Sequence, residues 1–202
     1  MMKGVLVTIA GNDLACARTW DAACERRVRG ENPSGFSTRE RYLTSYLGYL
    51  AWLRWCRIYG LRCVYRVVTE GRSVDNSKFT LFRGGTPQPC LVKTASFSFH
   101  KQMMLPVKQT VDDAALYVGM RLRCDADMDV DTVTEIDVEC CGQLPGADVA
   151  LLPVTMVKVL TRCCSLDDLR PLTRVRDDYD RGALELRGRA VELEASPPLR
   201  LT

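Results

Sequence analysis

Gly4-Val5-Leu6-Val7-Thr8-Ile9-Ala10 sets Val5, Val7 and Ile9 on one side of an extended chain and Leu6, Thr8 and Ala10 on the other. Alternation with a period of two, rich in β-branched residues, marks a strand, because such side chains pack well on a pleated surface. Gly11-Asn12-Asp13 ends it as a turn, and residues 14–36 read as a short helical piece followed by the exposed loop Gly30-Glu31-Asn32-Pro33-Ser34-Gly35.

The period then changes. Ser37-Thr38-Arg39-Glu40 is a capping box, in which a hydroxyl and a carboxylate satisfy free amides at a helix start. The helix runs to about Tyr59, and Gly60 supplies a left-handed cap. On a helical wheel Tyr42, Leu43, Tyr46, Tyr49, Leu50, Leu53 and Cys56 form one wide apolar face. Thr44, Gly48 and Ala51 lie opposite, together with Trp52 and Trp55. From Leu61 onward the pattern returns to strands, at 62–69, 78–83, 90–99, 115–124, 132–141 and 149–160, with further candidates at 183–187 and 190–194. Gly84-Gly85-Thr86-Pro87-Gln88-Pro89 reads as a loop or edge, and Pro106, Pro145 and Pro153 punctuate the rest.

Seven or eight short strands separated by turns, with one helix inserted early, predict a mainly β chain built as an antiparallel β-sandwich rather than alternating βα units. The 202 residues suffice for one domain. An apolar fraction of 47% and a charged fraction of 26% exclude a disordered chain. Twenty-eight basic residues against 25 acidic ones leave a net charge of only +3, too weak a field for a nucleic-acid binder. The apolar start is too short for a secretory signal, and no run approaches the ~20 residues of a membrane helix, so a cytoplasmic or cytoskeletal protein is expected.

Ten cysteines would then be reduced thiols, small buried hydrophobes for the most part. No Cys-x-x-Cys occurs, and Cys140-Cys141 and Cys163-Cys164 point alternate ways along a strand, which speaks against tetrahedral zinc. His100, the single histidine, has neither a nucleophile nor an orienting acid beside it in sequence. Gly84-Gly85 precedes Thr86-Pro87 rather than a helix with Lys and Ser/Thr, so no phosphate cradle is present. Arg170-Pro171-Leu172-Thr173-Arg174-Val175-Arg176 stands beside Asp177-Asp178-Tyr179-Asp180-Arg181, two clusters of opposite sign that solvate each other.

The order of segments resembles a divergent C2 domain. Gly4–Ala10 with Asn12-Asp13-Leu14 looks like that family's opening strand and first-loop entry. Arg62-Cys63-Val64-Tyr65-Arg66-Val67 looks like its aromatic strand, and Pro89-Cys90-Leu91 leading to Phe97-Ser98-Phe99 is similar to its central strand. Leu116–Leu122 followed by Asp125-Ala126-Asp127 resembles the strand and acidic third loop. Gly146-Ala147-Asp148-Val149-Ala150-Leu151-Leu152-Pro153-Val154 resembles the next strand, and Gly182-Ala183-Leu184-Glu185-Leu186 the last. The resemblance implies one domain over residues 1–202, with residues 15–60 a helix-containing insertion in its first loop.

Asp125, Asp127, Asp129 and Asp131 alternate within seven residues, and converging carboxylates are what calcium requires. An EF-hand does not fit, since Val130 stands where its glycine would be and Ile136 where its bidentate Glu would be. The resemblance makes Asp125 and Asp127 candidate calcium ligands, with Asp131 beside them, yet Arg62-Cys63-Val64 stands where the family's partner acid is expected. A solvated acidic loop or a contact to an arginine-rich partner is the competing reading.

The expectation is therefore a non-catalytic protein-binding or scaffold module without a cofactor, a structural subunit of a larger intracellular assembly of cytoskeletal or ciliary type. Trp52, Trp55 and Tyr59 are its expected partner contacts, as aromatic anchors on a capped helix, with the two tryptophans covered by the Gly30–Ser37 loop as the other reading. The alternatives are a peripheral membrane domain with a calcium-dependent acidic loop, and an enzyme using an acidic thiol near His100.

Overall fold

The computed structural model describes residues 4–19, 39–66, 78–83, 86–108, 111–125, 132–157 and 159–171. Strand β1 (Val5–Ala10) is followed by helical residues 11–19 (α1) and the long helix α2 (Arg39–Ile58). Then come β2 (Arg62–Arg66), β3 (Lys78–Arg83), β4 (Thr86–Ala95), β5 (Gln102–Pro106), β6 (Leu116–Leu122) and β7 (Glu135–Pro145). A short helix α3 (Gly146–Ala150), strands β8 (Val154–Met156) and β9 (Leu160–Ser165) and a 3-10 turn at Leu166–Asp168 complete the described elements. The protein is mainly β, with a six-stranded sheet ordered β1-β7-β6-β4-β3-β2 and a three-stranded sheet ordered β5-β9-β8.

Strand β6 organises both layers. Every residue of Leu116-Tyr117-Val118-Gly119-Met120-Arg121-Leu122 is buried, as expected of a strand covered on both faces. Leu116, Val118, Met120 and Leu122 belong to a core shared with α1, α2 and the neighbouring strands. Tyr117 turns the other way, into a second core with Met103 and Leu105 of β5, Val149 of α3, and Leu166 and Leu169. Gly119 on that second face lets the two leucines descend onto the sheet. A Cβ there would lie 2.4 Å from Leu169 Cδ1 and 2.8 Å from Leu166 Cδ2.

One pairing departs from the antiparallel expectation: β4 and β6 run parallel, in the register Cys90↔Leu116 to Ala95↔Arg121. The chain between them leaves the large sheet to form β5 in the small one and then returns, the kind of crossover a parallel pair needs. Strand β5 itself escapes the sequence reading because only Met103 and Leu105 turn inward and Pro106 ends it. Strand β4 starts at Thr86, so Pro87 and Pro89 lie inside a strand rather than a loop. Pairing with β6 begins only at Cys90, so the missing proline N–H groups fall where the described residues ask for no ladder bond on that side.

Two segments of the expected strands are something else. Residues 96–99 form bends and a turn, with the Phe97 and Phe99 rings stacked at 5.3 Å. Gly146–Ala150 is helical, starting from Pro145 in extended conformation, with Val149 buried beneath it. The C2-like match over Gly146–Val154 is thereby corrected, because only Val154 of that segment lies in a strand. Asn12 and Asp13 likewise belong to helix α1 rather than to a turn. The strand candidates at 183–187 and 190–194 lie outside the described residues.

Helix α2 is not an accessory to the sheet. Leu47, Ala51, Trp52, Trp55 and Cys56 sit in the main core with Phe79, Leu81, Val92 and Val118. The face that its tyrosines and leucines suggest is buried, with Leu43, Tyr46, Tyr49 and Cys56 in the core, but Gly48, Trp52 and Trp55 on the opposite side are buried too, and among its described side chains only Arg54, Arg57 and Ile58 near the helix end face solvent. The reason is a close approach. A Cβ on Gly48 would lie 1.9 Å from Thr94 Oγ1 and 2.9 Å from Thr94 Cβ, so only glycine lets the helix descend onto β4. Gly48→Ala should therefore cost about 1–3 kcal/mol through overpacking. Thr94→Ala in the same chain should recover part of the loss. Urea-denaturation midpoints of the single and double variants measure this coupling, and additive losses would show that the two residues are not in contact.

Candidate interaction surface

The structure takes the expected aromatic anchors out of contention. Trp52 and Trp55 are 0% and 1% exposed, stacked on each other at 5.3 Å with 9° between their planes. Tyr59 is half-buried, its ring 4.5 Å from that of Trp55. The partner contact assigned to Trp52, Trp55 and Tyr59 is corrected for the tryptophans: burying two indoles against the sheet outweighs the polar neighbours that place them outward on a wheel. Neither indole N–H has a hydrogen-bond partner among the described residues.

Of the acidic residues, Asp125 is exposed at the end of β6, while Asp127 and Asp131 lie outside the described residues, as does Asp129. Among the described residues no three His, Cys, Asp or Glu side chains are placed to hold a metal ion. His100 packs edge-on against Phe97 and Phe99 at 5.2 and 4.7 Å. It lines a cleft of about 210 Å³ with Ser45, Tyr49, Thr94 and Met103. Neither a carboxylate nor a thiol is among the described residues lining that cleft.

The exposed apolar surface is elsewhere. Leu151 is 84% exposed, Met156 67%, Leu160 51% and Val154 50%, with Val157 and Val159 about equally open. These residues come from the end of α3, from β8 and from the start of β9, which pair in the register Val154↔Arg162, Thr155↔Thr161 and Met156↔Leu160. Cross-strand partners point to the same side of a sheet. Since Met103↔Cys164 and Leu105↔Arg162 pair in the same small sheet and Met103 and Leu105 are buried, Val154, Met156 and Leu160 turn to the core-facing side. They are nonetheless open to solvent. The result is an apolar ledge, and β8 forms the edge of its sheet. The sequence signal was available in Leu151-Leu152-Pro153-Val154-Thr155-Met156-Val157-Lys158-Val159-Leu160, which holds one charge in ten residues.

Behind β6 lies a buried ionic cluster. Glu139 accepts hydrogen bonds from Arg121 Nε at 2.8 Å and Nη2 at 2.7 Å, and Arg123 Nη2 stands 3.1 Å from the same carboxylate oxygen. The side chains of Arg121 and Glu139 are 9% and 6% exposed, and they sit directly opposite each other on β6 and β7. Asp167, 3.8 Å from Arg121, completes the group. Outside it, Arg170 bonds Asp148 at 2.6 Å, while the rest of the opposite-sign clusters from Leu172 onward lies outside the described residues. Removing one partner of a buried pair leaves an uncompensated charge, so Glu139→Gln should lower stability by about 3–5 kcal/mol. Replacing both as Arg121→Met with Glu139→Leu should cost much less, and chemical-denaturation midpoints of the two chains read the difference.

The cysteines carry no activated thiol among the described residues whose shift is resolved. Burial pushes Cys141 up to about 12, assisted by Glu139, and raises Cys140 and Cys56 well beyond the ordinary thiol range. A raised pKa leaves almost no thiolate at neutral pH, and the thiolate is the nucleophile. Iodoacetamide at neutral pH should therefore modify exposed Cys16 in the native chain and leave Cys56, Cys140 and Cys141 unmodified. Peptide mass mapping before and after addition of urea checks this, with all three expected to react once the chain unfolds.

No protein-family model matches the chain, and no curated protein and no solved structure matches it. The likeness to a C2 domain thus rests on the order of sequence segments. No helix among the described residues is long and apolar enough to cross a membrane.

Proposed function

We propose that the chain is a non-catalytic protein-binding module, a structural subunit of a larger intracellular assembly, and that it docks through the apolar ledge of β8 and β9. One observation carries this reading: six large apolar side chains within the ten residues from Leu151 to Leu160 stand about half or more exposed. Single exposed hydrophobes are ordinary, whereas a contiguous patch on a sheet edge marks a contact surface. The expected occupant is an uncharged apolar protein surface, because the ledge offers only Lys158 among its ten residues as a charge in sequence.

The non-catalytic part of the reading draws on the lining of the His100 cleft and on the raised thiols described above. The two sheets with a core between them suit a β-sandwich, and a divergent C2-like module remains our reading of its ancestry. In that reading α2 has taken over one face of the large sheet. Cytoplasmic or cytoskeletal residence, including a ciliary assembly, accords with ten cysteines and no described disulfide, since reducing compartments keep thiols free.

Met156→Lys and Leu160→Lys test the proposal directly. Both positions are open to solvent, so the folded chain should keep its urea midpoint while losing the proteins recovered by affinity purification with the wild-type chain. Unchanged recovery would refute the ledge as the docking surface. Sedimentation with phosphatidylserine vesicles, with and without calcium, tests the membrane alternative. Calcium-dependent pelleting would favour Asp125 and its acidic neighbours over the ledge.

A further inference from the structure

The ledge has the properties of a surface that closes on itself. This inference rests on the docking reading above and names its partner. Strand β8 is the outer strand of the small sheet, with β9 on one side and no strand on the other among the described residues. An edge strand presents unpaired backbone donors and acceptors that can template another strand. Natural edges are commonly blunted with charge, yet Val154-Thr155-Met156 carries none. Its side chains are all exposed.

We propose that two copies of the chain join edge to edge through β8, antiparallel about a two-fold axis at Thr155. The register follows from the sequence of the strand. Thr155 meets the second copy's Thr155 at the axis, and Val154 of each chain stands opposite the other's Met156. Both apolar residues point to the core-facing side, so the contact aligns apolar side chains on one side and threonines on the other. An isologous contact needs a surface complementary to itself, and an uncharged apolar strand meets that requirement without any like-charge encounter. The nearest fixed charge in the sheet, Arg162, is one strand further in, opposite Val154 on β9. Leu160, Val157 and Val159 at the hairpin end widen the contact beyond the three paired residues. The two small sheets become one sheet of six strands, and the exposed edge is removed.

So small a contact falls near or below the ~1,000 Å² of a stable interface, which sets the expected dissociation constant in the micromolar range. Sedimentation velocity of the full chain from about 1 to about 100 μM, a range chosen to bracket that constant, reads the mass directly. The wild-type chain should move from one copy to two across it. Met156→Lys and Val154→Glu should each weaken association by at least about tenfold, by placing a charge in an apolar contact. Mixed together, those two variants should recover the dimer. The proposed register sets the introduced lysine of one chain against the introduced glutamate of the other, and it leaves the native Val154 against the native Met156. Thr155→Lys, which places two lysines face to face on the axis, should abolish self-association.

A wild-type chain that remains single at the top concentration overturns the proposal. So does a dimer indifferent to these substitutions, or a mixture that fails to recover. If the chain is monomeric while Met156→Lys still loses the proteins recovered by the wild type, the docking surface stands and only the second copy as its occupant is refuted. If the wild type dimerises through β8 and Met156→Lys leaves those proteins in place, self-association stands and the wider docking role fails.

Discussion

A single strand buried on both faces imposes most of this architecture. Water is excluded from both sides of β6, so its even positions require one layer and its odd positions another. The helices meet the first requirement with Trp52, Trp55 and Leu47, and the small sheet meets the second with Met103, Leu105 and the leucines after β9. Burial of large apolar side chains on this scale is the main favourable term in folding. The two close approaches, Gly48 on Thr94 and Gly119 beneath Leu166 and Leu169, bring the outer layers down onto the strand and its neighbour.

The same arrangement explains why a charge pair can sit in the interior. Arg121 follows Gly119 on the face turned to the small sheet, and the register of β6 and β7 brings Glu139 against it. A guanidinium with five donors, bonded twice by one carboxylate, suffers less from desolvation than an isolated ion would. Such a pair contributes little net stability but strongly penalises any slip of β6 against β7, because a slipped register separates the two charges. Cys140 and Cys141 lie next along β7, and burial raises both thiols, Cys140 in the main core and Cys141 against the second one.

Much of the element order was legible in sequence because it depends on local pattern. Strand β1 from its alternation, β3 at 78–83, α2 from its helical period and closing Gly60, and the body of β6 all follow from residues a few positions apart, while Ser37 and Thr38 of the capping box lie outside the described residues. The elements that escaped are the ones with weak local signals. Strand β5 turns only two residues inward, α3 is a single turn beside a proline, and β4 contains two prolines that become tolerable only once it is known that they pair with β3 alone and that β6 joins at Cys90. The surface was hardest to read. Residues 149–160 look like one strand, whereas only Val154–Met156 and Leu160 are extended there, and Trp52 and Trp55 look like the outer side of a helix, whereas the structure buries them.

The amino-acid sequence by itself determined that the chain is mainly β, where most strands and the long helix lie, and which residues are apolar. Those properties follow from backbone and side-chain preferences acting over a few residues. Only the tertiary structure decided which apolar residues reach water. Whether Trp52 is an anchor or core depends on Gly48 admitting α2 onto β4, and whether Met156 is core or ledge depends on what the distant parts of the chain lay over it. Exposure is a relation between segments distant in the chain, and no local period encodes it.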